Sequence, residues 1–554
     1  MHRGERCKPH NLHERDIRSL EQCDCREGWR VELKLARETL RFERLVVKDE
    51  EQVAIEGEAT LPGSMRDAVT VLSVQAQVHL NGAQAGMGEG VVRGRVCYQV
   101  LYTQGDLTRV RALETTCDFE HRLTLDGMTP SMRLSVAAFV QETEGTAASG
   151  RMTLRALLGI QTEAFETVET ELVTGASLGG DESAVMGIPG MLSAEQPSNQ
   201  ESENDIGGLQ TRTQTVTFCC HEELGEDKTL VREEFDLPSK LEVGDVLSAT
   251  GTAAVNDFTG GAGKLGVLGT IEVRVLHRPQ EPGNPLVVTT HELPFELSIE
   301  AELPDGAQPH ATAEVVDVMA DSISTDKRRT LRVEAEVRVS LSLCMQHEAV
   351  LLEDLYSLTG PELEPVRESF DVHTFEEASD VRESTRLQVS MPKDAPPIDT
   401  VLATFVQPTV TGLTPAGRRL DAEGVMGVTM MYLPVDSDIP YAVHTREPFT
   451  MTFPVEVVDG ASAQAYAIES SPGPTTSDRA EVRCVIGLHV MQHGIRRVTG
   501  ITDVEKKPPV KQEHGFVLVW PASGETRWQT ARRLRVAEES LLPAGKGALL
   551  AFRK

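Results

Sequence analysis

Apolar and polar residues alternate one by one over long stretches of this chain. In "TLRVEAEVRVSLSL", Leu331, Val333, Ala335, Val337, Val339, Leu341 and Leu343 fall on one side of an extended strand, and Arg332, Glu334, Glu336 and Arg338 on the other. Period-two alternation of this length predicts a strand with one face in a core and one in water. The same pattern runs through Val96, Tyr98, Val100 and Tyr102, through Ile271, Val273 and Val275, and through Met426, Val428, Met430 and Tyr432. It returns in "TLRALLGIQT" from Thr153 and "AEVRCVIGLHVMQ" from Ala480. Between these runs lie "DGMTP", "LPDGAQP" and "VVDGAS", whose Gly and Pro supply the backbone angles of chain reversal. Long helical periodicity is missing from these regions.

The strands belong to a repeat. Leu61-Pro62, Leu237-Pro238 and Met391-Pro392 are each followed by a Val-Leu pair, at Leu72, Leu247 and Leu402, and 22 residues beyond each of those leucines stands a glycine: Gly94, Gly269 and Gly424. Three matches argue for duplication. The expected fold is mainly β: three repeated antiparallel β-sandwich-like domains of about 140 residues, at 31–174, 209–350 and 362–503, after an N-terminal lead-in at 1–30. Residues 175–208, rich in Gly, Ser, Pro and acids, are expected to form a flexible acidic linker, with "AVMGIPGML" at its centre. The second and third domains are joined by a shorter stretch around "YSLTGPELEP" and are expected to pack as a pair.

Length and charge narrow the function. A chain of 554 residues with a formal net charge of −31 repels polyanions, so nucleic acid and anionic lipid are poor partners for the main body. No stretch matches a membrane span, and the start "MHRGERCKPHNLHERD" lacks the apolar core of a signal peptide, so a cytoplasmic protein without membrane insertion is expected. Nine scattered cysteines predict reduced thiols rather than a disulfide framework. An aromatic fraction of 4% argues against sugar clefts built of stacked rings.

Motifs associated with enzymes occur in places that deny them their chemistry. Gly175-Ala-Ser177-Leu-Gly179 fits the nucleophile elbow but opens the linker. Gly261-Ala-Gly263-Lys264-Leu-Gly266 fits a phosphate loop but precedes a strand rather than a helix. Neither Gly263-Lys264 nor Gly545-Lys546 is followed by Ser or Thr, so a Walker loop is absent. Cys7, His10, His13, Cys23 and Cys25 are ligand types that zinc accepts, but their spacing is poor, and solvated side chains are the expected state. Adjacent Cys219 and Cys220 should point to opposite faces of a strand. No catalytic, cofactor-binding or metal-binding residue is nominated, and the chain is not expected to be an enzyme.

The end of the chain differs from the rest. In residues 514–554, Phe516 to Trp520 predict a strand, and Thr526 caps a helix in which Trp528, Ala531 and Leu534 recur at helical spacing, with Arg527, Arg532, Arg533 and Arg535 around the rim. Glu538, Glu539 and Leu541 suit a second helical turn and "AGKGALLAF" a closing strand, a small βααβ domain. Gly524, Glu525, Thr526, Trp528, Ala531, Gly545 and Leu549-Leu550 resemble the LysM pattern. Arg527 and Thr530 depart from it, and the Asn common before the last strand is missing. LysM modules bind N-acetylglucosamine polymers, so peptidoglycan binding is the alternative function. The arginine rim suits an acidic protein partner better.

Three β units ahead of a LysM-like module resemble the SPOCS-domain proteins of spore-forming bacteria, of the SipL type. The first unit, "GEGVVRGRVCYQVLYTQGD" and "RALETTCDFEHRLTLDGMTPSMRLSV", is the most similar. The resemblance implies a non-enzymatic spore-coat scaffold in the mother-cell cytoplasm at the forespore surface, whose LysM region engages the ATPase of the coat basement layer. It makes Trp528, Arg527, Arg532 and Arg533 candidate partner contacts, with Trp528 alternatively the anchor of the module's core. Self-association or binding of other coat proteins is left open, as are the partners of each β domain.

Overall fold

The computed structural model describes residues 33–61, 69–105, 109–178, 208–238, 242–261, 263–280, 286–301, 303, 307–324, 329–458, 460–508 and 514–553. The Cys/His group of the N-terminus and the "AVMGIPGML" stretch lie outside these residues. The first unit comprises β1 (Leu33–Thr60), β2 (Val69–Ala85), β3 (Glu89–Gln104), β4 (Arg111–Thr124), β5 (Arg133–Ala148) and β6 (Arg151–Leu178). They form two antiparallel sheets ordered β1-β6-β5 and β2-β3-β4. The second unit has β7 (Leu209–Phe235), β8 (Val243–Gly261), β9 (Lys264–Pro279), β10 (Val287–Glu300), β11 (Ala307–Ser324) and β12 (Arg329–Ser357). The third has β13 (Glu362–Ser390), β14 (Ile398–Pro415), β15 (Leu420–Pro434), β16 (Tyr441–Phe453), β17 (Ser462–Thr475) and β18 (Arg479–Lys507). Both repeat the order of the first: β7-β12-β11 with β8-β9-β10, then β13-β18-β17 with β14-β15-β16.

The three glycines explain one feature of this recurrence. Gly94, Gly269 and Gly424 sit in the middle strands β3, β9 and β15, directly opposite Phe119, Phe295 and Phe449 of the neighbouring strand. A Cβ on Gly94 would stand 2.6 Å from the His79 carbonyl oxygen and 2.8 Å from the Phe119 ring, and the other two glycines face the equivalent carbonyl and ring. The missing side chain leaves the room in which the ring lies across the strand.

In each unit both sheets contribute to one core: Val96 and Tyr98 with Leu154 and Leu158, Ile271 and Val273 with Val333 and Val337, and Met426 and Val428 with Val482 and Ile486. The alternating face of β12 is buried as the pattern predicts, with Leu331, Val333, Ala335, Val337 and Val339 all at 0% exposure.

Six of the strands are far longer than the roughly five or six residues usual in globular proteins. β1 and β6 each have 28 residues, β7 has 27, and β12, β13 and β18 have 29. Each long strand lies partly in its own unit and partly beyond it, in a two-stranded ribbon that meets the ribbons of the other two units. There Phe42, Phe218 and Phe370 come together, the first with its ring centre 5.5 Å and 5.6 Å from the others, packed with Leu172, Leu351 and Val498. A separate apolar cluster gathers Leu72, Leu247 and Leu402 with Leu101, Leu276 and Met431. The leucines from which the glycine spacing was counted thus meet one another.

Each unit touches both others. Between the first and second, His79 Nδ1 lies 2.7 Å from Glu314, and Arg338 donates to the Leu80 carbonyl at 2.7 Å. Between the second and third, Arg274 donates to Ser470 at 3.3 Å. Between the first and third, His493 lies 2.7 Å from Glu163, His373 lies 3.6 Å from Glu43, and Gln407 donates to the Val140 carbonyl at 2.8 Å. Burial pushes the Glu43 pKa up, but the close approach of His373 and the hydrogen bonds from Arg133 outweigh it and bring the carboxyl down to about 2. Glu163, buried beside His493 and Lys48, is likewise brought down to about 2. Burial disfavours the charged form of His79, yet its bonds to Cys97 and Glu314 raise it to about 9.

Other details differ from what the sequence suggested. Gly175, Ala176, Ser177 and Leu178 are still in β6, with Ser177 paired to Lys34, so the serine of the elbow-like motif sits in an ordinary antiparallel ladder. Gly261 pairs with Lys264, so the G-x-G-x-x-G stretch folds over a hairpin. β12 and β13 are separated only by Leu358, Thr359, Gly360 and Pro361. Cys219 is buried and Cys220 half-buried, as alternation requires, but Cys219 forms a disulfide with Cys344. This corrects the expectation of reduced thiols throughout. The two cysteines stand on the same face of neighbouring strands, with Cα atoms 6.3 Å apart. Among the described residues no helix is long and apolar enough to cross a membrane.

Candidate functional site in the C-terminal module

The module consists of β19 (Gly515–Val519), α1 (Arg527–Leu534), a 3-10 turn at Glu538–Ser540, β20 (Leu542–Gly545) and β21 (Ala548–Arg553), with the sheet ordered β19-β21-β20. The expected second helix is thus a single turn, and a short strand is added after it. Thr526 caps α1 as predicted: its hydroxyl accepts from the Gln529 N–H at 3.2 Å while the Gln529 side chain accepts from the Thr526 N–H at 2.8 Å. Trp528, Ala531 and Leu534 turn inward to join Val536, Leu541 and Ala551. Thr530, a departure from the LysM pattern, is fully buried, and its hydroxyl is satisfied by the Thr526 carbonyl at 3.1 Å.

The apolar side of α1 is docked on the end of β12. Asp354, with a side chain 9% exposed, accepts from Trp528 Nε1 at 2.7 Å, from Arg532 Nη1 at 2.8 and 3.0 Å, and from Arg367 of β13 at 2.7 Å. Three donors, two of them cationic, make a buried carboxylate tenable there. Tyr356 stacks edge-on against Trp528 with ring centres 5.0 Å apart, and its hydroxyl donates to the Val536 carbonyl at 2.8 Å. Burial, with Glu538, Glu539 and Asp354 nearby, pushes the Tyr356 phenol well above its ordinary range. Arg535 reaches across to the carbonyls of Ser357, Gly360 and Pro361 at 2.9–3.2 Å. These bonds hold the module against the junction of the second and third units.

The four candidate contacts therefore separate. Trp528 and Arg532 converge on one carboxylate of the same chain. Arg527 donates to the Leu541 carbonyl at 2.6 Å, closing the module on itself, and Arg533 pairs with Glu525 at 2.9 Å. Asp354 and Tyr356 were not singled out from the sequence. Their signal in the sequence is weak: an acidic pair, Glu353-Asp354, lodged between Leu352 and the apolar pair Leu355-Tyr356. Among the described residues no group of three or more His, Cys, Asp or Glu side chains is arranged to hold a metal ion. A small slot in the third unit, lined by Leu413, Leu420, Val457 and Ala461, brings no acidic, basic or nucleophilic side chain together.

The first unit also carries a family signature. Residues 67–147 match the family model described as SipL, SPOCS domain, a stretch that contains β2 to β4 and nearly all of β5, with the Gly94–Phe119 pair at its centre. No curated protein and no solved structure matches the chain. The match ties the chain to sporulation and the spore coat. Residues 67–147 are thus similar to the SPOCS domain of the SipL family, within the first of the three units.

Proposed function

We propose that this chain is a non-enzymatic scaffold of spore-coat assembly, acting in the mother-cell cytoplasm at the forespore surface. Its three β units are two-sheet sandwiches descended from one duplicated unit, and its LysM-like end recruits the ATPase of the coat basement layer. The observation that carries this reading is the SPOCS match at 67–147, set in the first of three units with one strand order. Docking of the module through Asp354 supports it further. A tip held in a fixed orientation presents a partner to the body at high effective concentration, so a modest local affinity suffices.

Co-purification of the coat ATPase with the intact chain, compared with a chain stopped after residue 508, tests the reading. The expected result is recovery with the intact chain and loss with the shortened one. Equal recovery removes the module from recruitment. Retention of the intact chain on purified peptidoglycan would instead favour the glycan alternative. The expected result there is no retention, because the Trp528 ring is 6% exposed and packed on Tyr356 rather than free to stack on a sugar.

A further inference from the structure

The outward face of the β2-β3-β4 sheet carries a thiol with a partner of its own. The β2–β3 register places His79 opposite Arg95 and Gln77 opposite Cys97, so Cys97 is the diagonal neighbour of His79 on one face. That face meets the second unit. Gln99, two residues beyond Cys97, donates to the Ala249 carbonyl at 2.7 Å, and His79 Nδ1 lies 2.7 Å from Glu314. Glu314 is fixed in turn by Arg338, which also donates to the Leu80 carbonyl. Besides its bond to Glu314, the His79 ring hydrogen-bonds the Cys97 thiol. Cys97 itself is half-buried and not in a disulfide. The three side chains thus stand in the order thiol, imidazole, carboxylate, in which a nucleophile is activated by a base and the base is oriented by a third group. The thiol and imidazole come from the first unit and the carboxylate from the second.

We propose that Cys97 is a modification site that exchanges with small-molecule disulfides, and that the resulting mixed disulfide loosens the contact between the first and second units. In the exchange the Cys97 sulfur attacks one sulfur of the reagent, a new S–S bond forms as the old one breaks, and the Cys97 proton passes through the imidazole to the leaving sulfur. One thiol and one disulfide enter, one mixed disulfide and one thiol leave, and no further oxidant is needed. The imidazole is equipped for this. Burial works against its charged form, but Cys97 and Glu314 raise its pKa to about 9, so it holds a proton at neutral pH. An imidazolium beside a sulfur is the setting in which a cysteine reacts as the thiolate. The other free cysteines among the described residues lie elsewhere. Cys117, Cys220 and Cys484 face the main-chain carbonyls of Glu56, Arg41 and Thr385, and burial pushes their thiols up, the last two to about 11. The placement of Cys97 also couples an adduct to the fold. A group attached there has to sit between the Gln99–Ala249 and His79–Glu314 bonds, where the second unit lies.

The test follows each cysteine of the intact chain by peptide mass mapping during reaction with hydroxyethyl disulfide at neutral pH, which separates Cys97 from Cys7, Cys23 and Cys25 as well. The expected result is an adduct at Cys97 that forms at least about tenfold faster than at Cys117, Cys220 or Cys484. A rate at Cys97 no higher than at those three overturns the site. His79→Gln, which keeps a donor for Glu314 but has no proton to exchange, should slow Cys97 about tenfold at neutral pH and leave its rate unchanged near about pH 10, where an ordinary thiol is already ionised. An equal loss at both pH values means that the variant only shields the thiol, and overturns the part given to the imidazole. Hydrogen exchange reads the consequence. Amides of β2 and β11 should lose protection in the adduct, regain it when dithiothreitol removes the group, and show no change when Cys97→Ser is treated in the same way. Unchanged exchange at full modification of Cys97 overturns the link to the contact between the units.

Discussion

Asp354 shows how much one side chain can decide. It gathers an indole and two guanidiniums from α1 and β13, so removing its charge leaves buried donors facing a weaker acceptor. Asp354→Asn should loosen the module by about 3 kcal/mol, read as faster proteolytic release at residues 508–514 with little change in the melting of the body. Gly94 makes the complementary case. Gly94→Ala should cost about 2 kcal/mol, since the new methyl overlaps a carbonyl oxygen and the Phe119 ring. Gly412→Ala, where the nearest side-chain atom is 4.0 Å away, should change the unfolding midpoint hardly at all. At this scale the sequence was readable wherever a residue's role is local: the alternating face of β12, the Thr526 cap and the invariant spacing of the glycines. The arginines were not, because their partners lie across the fold. Arg532 finds its carboxylate 178 residues earlier in the chain, and no periodicity records that distance.

The long ribbons extend the same lesson to whole elements. Alternation predicted the halves of the strands that line each unit's own core, and it fades in the other halves. Around Leu40 and Phe42 of β1, charged neighbours are themselves engaged, Arg37 with Asp503 at 2.9 Å and Arg44 with Glu166, so the pattern resembles a solvated loop. The ribbon contacts also carry the molecule's pH dependence. Glu43 faces Arg133, His373 and His221, and Glu163 faces His493 and Lys48, and both carboxyls titrate near 2 when folded against an ordinary 4.5. Their folded pKa is depressed, so their contribution is complete above about pH 4.5 and disappears as the pH falls towards 2. His79, flanked by Glu314, Arg338 and Cys97, has the opposite sign: it contributes fully below about pH 6.5, and the contribution is lost as the pH rises through about 9. Denaturant midpoints followed across this range should show a plateau bounded by these two declines. Glu43→Gln should lower the plateau and flatten its acid side.

At the scale of the whole molecule, the three units close on one another rather than forming a row of separate beads. The recurring spacing was visible in the chain, but closure was not, since it depends on leucines and phenylalanines at matching places in distant units meeting. A protease site inserted between residues 179 and 207 should therefore leave the cleaved halves eluting together from a sizing column, because the first unit is bound to both others. Leu247→Glu, which puts a charge among Leu72, Leu402 and Met431, should separate them. The unequal connections have a further consequence. Twenty-nine residues span 179–207, whereas four join β12 to β13, so covalent geometry keeps the second and third units neighbours but sets a limit of about 100 Å on the separation of the first from the second. Two molecules can then trade first units and regain every native contact in the exchange. Refolding at high protein concentration should leave intertwined dimers that part only when the protein is unfolded again.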